Sequence, residues 1–75
     1  MNFEKREARM RSVFINCVQK WVPFDVFKHS IIDLTAGQIA ETLKQMVFLG
    51  KVERRTFKVH GKEKRMYRLK EWLTE

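Results

Sequence analysis

"LKQMVFLGKVERRTFKVHGKEKRMYRL", residues 43–69, is the stretch on which the fold turns. It starts with an apolar helical pattern, halts at Gly50 and becomes strongly basic, with nine Lys or Arg among residues 51–70. Glycine just past helical periodicity is the common C′ residue, so a helix ends here. Beyond it KVERRTFKV and KEKRMYRL flank His60-Gly61, the pattern of two strands and a tight turn. A slip of one residue between such strands turns every side chain over. With His60-Gly61 as a two-residue loop, Val59 faces Lys62 and Val52 faces Leu69, so Val52, Tyr67 and Leu69 share a face. A three-residue loop puts Val52 on the opposite face from Tyr67 and Leu69. The first register makes a continuous apolar face and is the expectation. It leaves Phe57, Val59 and Met66 on the other side, among Arg55, Lys62 and Lys64.

Upstream, Thr35 has the chemistry of an N-cap. The run AGQIAETLKQMVFL after it carries Ile39, Leu43 and Met46 on one stripe, which predicts a helix over about 35–49. Residues 23–30 read as a short helix started by Pro23, which loses no hydrogen bond in a first turn. Phe24 and Phe27 face inward, and IIDLT connects to the next helix. Residues 3–21 read as the first helix, because Met10, Phe14, Cys17 and Trp21 recur at spacings of three and four, with Val13 and Val18 beside them. Trp72 or Leu73 of the tail is expected to tuck against the body. The whole is one domain, 1–75, of α+β class, with a modest core for its size.

The net charge is +7, and it is unevenly spread. Residues 1–22 carry +3, residues 23–50 carry −1 and residues 51–75 carry +5. A basic surface of this kind favours nucleic acid or an acidic partner; the plainer reading is a well-solvated surface. Cys17 is the single cysteine, so no internal disulfide forms, and its place on the apolar stripe marks it as a small core residue. His29 and His60 have no ligand partner at metal-binding spacing. Ser30 and Thr35 are turn and cap residues without a base, and the three glycines make no phosphate loop. The expectation is a protein that is not an enzyme and needs no cofactor or metal. The charged N-terminus has no apolar signal core behind it, and no run nears the roughly 18 apolar residues of a membrane span. A soluble protein of the cytoplasm or nucleoid, without a membrane partner, is expected.

The element order, together with TAGQIAETLKQMVFLGKVERR and GKEKRMYRL, resembles the winged helix-turn-helix domains of transcriptional regulators, from about residue 23 to 70. In that family a third helix ends in Gly, a strand follows at once, and a basic hairpin returns through Tyr-x-Leu. Here those features are Gly50, residues 51–59, and Tyr67 with Leu69. The resemblance implies three helices followed by a two-stranded antiparallel wing over about 51–70. It also implies a third helix lying in the major groove, with Gln38, Glu41, Thr42 and Gln45 toward the bases and Lys44 nearby. The wing would meet the phosphate backbone through Arg55, Lys58, His60, Lys62, Lys64 and Arg65.

The expected function is sequence-specific binding of double-stranded DNA by a small regulator of transcription, of the kind found in phages and plasmids. Phosphate contacts give affinity, and base edges give preference. Within that reading, the third helix or the wing leads. In a wing-led mode Phe57 or Met66 lies against sugars or in a widened groove. The competing expectation is an interaction module that docks an acidic protein of the transcription or replication machinery, with Phe48, Phe57 and Met66 as contact residues. A homodimer through the first helix or through Val47–Leu49 is compatible with either.

Overall fold

The computed structural model describes residues 2–70. The chain runs α1 (Phe3–Asn16), β1 (Val22–Pro23), α2 (Phe24–Ser30), α3 (Ala36–Phe48), β2 (Val52–Val59) and β3 (Lys62–Leu69). The result is a small α+β fold, with three helices and one antiparallel sheet of order β1-β3-β2.

α3 forms as its sequence predicts. The Thr35 hydroxyl accepts from the Gln38 N–H at 3.1 Å, and the Gln38 side chain accepts from the Thr35 N–H at 3.0 Å, a complete capping box. At the other end Gly50 adopts φ 75°, open to glycine without strain. The Lys51 N–H reaches the Met46 carbonyl at 2.9 Å and the Gly50 N–H reaches Val47 at 3.0 Å, the pair of bonds of a Schellman motif. This closure turns the chain straight into β2.

The hairpin has the expected register, with Val52 opposite Leu69 and Val59 opposite Lys62. Val52, Tyr67 and Leu69 are buried at its base. They join Met10, Val13 and Phe14 of α1, Val22, Phe27, and Ile39, Leu43 and Met46 of α3 in one core. The Phe14 ring meets Phe27 edge-on at 5.1 Å, and Phe27 meets Tyr67 at 5.9 Å, so α1 and β3 converge on α2.

The first helix departs from expectation. It ends at Asn16, not near residue 21, and Cys17 is its C-cap in extended backbone. Ile15, Asn16, Cys17 and Val18 are poor helix formers. Asn16 also donates its side-chain amide to the Ser12 carbonyl at 2.9 Å, a local bond that competes with a further turn. Leaving the helix lets Val22 pair with Tyr67 as an edge strand and become fully buried. Val18 is consequently exposed, and Cys17 packs only partly against the core. The expected contact of Trp72 or Leu73 lies outside the described residues.

Among the described residues two polar side chains are buried beside this core, Thr42 and the charged Glu7. Glu7 is 8% exposed, and its carboxylate accepts from Lys51 Nζ at 2.9 and 3.2 Å and from Arg11 Nε at 3.3 Å. Lys51 follows Gly50, so this contact ties α1 to the joint between α3 and β2. The Lys51 hydrogen bond outweighs burial and holds the Glu7 pKa below the usual carboxylate value. A folded-state pKa below the unfolded one gives stability that is full above the unfolded value, about 4.3, and is lost as pH falls through the folded value. Lys51 stays partly solvated, so Glu7→Gln is expected to cost about 1–2 kcal/mol at neutral pH, below the range for fully buried pairs. Urea melts at neutral pH and near pH 3 check this; a gap between variant and wild type that persists in acid would refute the assignment.

Candidate nucleic-acid interface

The distal half of the hairpin stands clear of the helices. His60 and Gly61 take φ 53° and 77°, both left-handed, which is the type I′ turn whose twist matches the strands. Cross-strand partners share a face. Toward the helices lie Val52/Leu69, Arg54/Tyr67, Thr56/Arg65 and Lys58/Glu63. On the outer side lie Glu53/Arg68, Arg55/Met66, Phe57/Lys64 and Val59/Lys62. The cations expected to act together therefore divide: Lys58 and Arg65 point one way, and Arg55, Lys62 and Lys64 the other. Near the tip both faces are open, so they girdle the ribbon instead of forming a flat patch. Arg54, absent from the sequence-based set, is exposed on the inner side. Among the described residues Arg54, Lys58, Lys62, Lys64 and Arg65 form no ion pair, whereas Arg9, Arg11, Lys51, Arg55 and Arg68 are paired with Asp33, Glu7 or Glu53.

The outer side also accounts for the apolar residues that the register left there. Trp21, expected on the stripe of the first helix, lies instead over this face. Its ring meets Phe57 edge-on at 5.4 Å, and the Arg68 and Arg55 guanidiniums sit 4.4 and 5.1 Å from its centroid. Glu53 accepts from Arg68 at 2.8 Å, and that bond, aided by the Arg68 and Arg55 charges and opposed by burial, lowers its pKa. Phe57 is thus half-buried against Trp21, and Met66 is half-buried on the same face. Arg55 is likewise engaged, although still 59% exposed in its side chain.

On α3 the expected reading set is reduced. Thr42 is 1% exposed, and its hydroxyl donates to the Gln38 carbonyl at 2.7 Å. Its place between Ile39 and Met46 on the same stripe was the sequence signal for that burial. Gln38 is committed to the capping box. Glu41, Lys44 and Gln45 remain outward, with Phe48 86% exposed at the helix end. At about 3.6 residues per turn, the open arc runs from Ala40 through Lys44 and Glu41 to Gln45.

Two grooves border that arc. On the Ala40 side a groove is lined by Pro23, Phe24 and Asp25 of the α2 start and by Glu63, Lys64, Arg65 and Tyr67 of β3. On the Gln45 side another is lined by Phe3, Arg6, Glu41, Thr42 and Gln45. Of the basic residues at the start of α1, only Arg6 lines the α3 groove; Arg9 bonds Asp33 at 3.0 Å, and Arg11 bonds Glu7. A helix of near-neutral surface therefore lies between cations on both flanks.

No family model, curated protein or solved structure matches this chain. Among the described residues no helix is long and apolar enough to cross a membrane.

Proposed function

We propose that the protein binds double-stranded DNA as a winged-helix module, a small regulator that seats α3 in the major groove and lays its hairpin along the backbone. The observation that carries this reading is the concentration of unneutralised charge on the projecting hairpin, beside a bordered, outward-facing helix. Among the described residues Arg54, Lys58, Lys62, Lys64 and Arg65, all on this one ribbon, have no ion-pair partner within the protein. Phosphates supply the missing anions and release counterions in doing so. Engagement of four to six phosphates gives a log–log salt slope of roughly −4 to −5. Base preference falls to Gln45, Lys44 and Glu41, since Thr42 is internal. Gln45 suits a bidentate contact to adenine, Lys44 a guanine edge and Glu41 a cytosine amino group.

Selection of bound duplexes from a random pool tests both halves. A defined motif is expected, and Gln45→Ala should relax it at one position by about 1–3 kcal/mol while leaving nonspecific affinity nearly constant. Retention that vanishes near physiological salt, with no motif recovered, would defeat the reading.

A second reading has its own support in Phe48 and Leu49, 86% and 51% exposed at the end of α3. Adjacent apolar side chains in that position suit a protein partner or a second copy of the chain. Tight capture of an acidic protein without duplex retention would favour it.

A further inference from the structure

Arg6 presents an unanswered group. Its Nε is shut off from solvent and has no hydrogen-bond partner. Orphaned buried donors are uncommon enough in folded proteins to call for an explanation. The residue is half-buried in the groove between the first turn of α1 and the outward arc of α3. Glu41 lines the same groove yet forms no ion pair with it among the described residues. The hairpin cation Arg65 lines the groove on the opposite border of α3. A duplex groove entered by a helix has a phosphate strand on each side, and a guanidinium is suited to bidentate phosphate contact.

We infer that Arg6 is a DNA-contacting residue, taking a phosphate oxygen of the strand that lies on the far side of α3 from the hairpin. The inference rests on the duplex-binding reading and adds a second anchoring point to it. It makes the complex a clamp across one groove, with β3 on one wall and α1 on the other. The planar fork reaches the phosphate from the groove that Arg6 lines together with Phe3. The charge arrives without an internal anion to be stripped away first.

Arg6→Gln and Arg9→Gln remove the same charge from neighbouring turns of α1, but Arg9 is paired with Asp33 and is given no DNA contact. Titration of a random duplex at several salt concentrations separates them. Arg6→Gln is expected to lose about tenfold in affinity near 50 mM salt and to reduce the salt slope by about one, whereas Arg9→Gln tracks the wild type. Equal behaviour of the two variants, with wild-type binding intact, would overturn the Arg6 assignment and leave the duplex reading standing. A wild type that fails to bind duplex overturns both. Should Arg6→Gln not fold, the Nε–H resonance of Arg6 in the wild-type protein gives the answer: a shift on addition of duplex supports the contact. A resonance that stays fixed with duplex, or that moves only with an acidic peptide, rejects it.

Discussion

Reversing Lys62, Lys64 and Arg65 to glutamate is expected to lower duplex affinity by about three powers of ten near 50 mM salt and to flatten the salt slope by about three. The size follows from counterion release. Each neutralised phosphate contributes about one power of ten at that salt, and three contacts are removed together. The new carboxylates also repel the backbone, so the loss should not fall below this figure. The three side chains are exposed and make no ion pair in the protein, so thermal stability should change little. The loss should be uniform across DNA sequences, because phosphates carry no sequence information. Isothermal titration or anisotropy at several salt concentrations, paired with a melt of each variant, checks all three points. Unchanged affinity in a folded variant would take the hairpin out of the interface.

The largest effect on stability is expected at Phe27. Its ring is fully buried and meets both Phe14 and Tyr67 edge-on. Phe27→Ala removes the transfer free energy of the ring and leaves a cavity between α1, α2 and β3, at a cost of about 3–5 kcal/mol. A domain of this size has little more than that in reserve. The variant should therefore be largely unfolded at room temperature, with loss of helical circular dichroism and of amide dispersion. Phe24→Ala, half-buried three residues away, should cost less than half as much. Similar melts for the two would show that the aromatic junction is not the centre of the core.

The C-terminal half of the fold was legible because its signals are local. Thr35 as a cap, Gly50 as a stop and His60-Gly61 as a turn each act within a few residues, and the hairpin register follows from which alternation makes an apolar face. What escaped depends on partners distant in sequence. β1 is two residues long and exists only because β3 lies beside it. Trp21 fits a helical stripe by spacing, yet it gains more by lying over Arg55, Arg68 and Phe57 on the sheet. Lys51 stands where an aliphatic residue is usual in the family resembled, and nothing near it in sequence points to Glu7. The candidate interface was legible in composition but not in geometry. Charge counting located the cations on the hairpin, while their division between two faces came from the pairing. Two features of α3 had signals in plain view: the capping box in the Thr35–Gln38 spacing, and the burial of Thr42 in its stripe position.

The sheet order β1-β3-β2 also bears on how the protein is made. Of the three strands, the middle one comes last in the chain. Until residues 62–69 have emerged, Val22 and Val52 have no neighbouring strand, and the ring of Phe27 lacks Tyr67. The nascent chain can wind its helices early, but it cannot close its interior by halves, because closure waits for the strand that both earlier strands pair with.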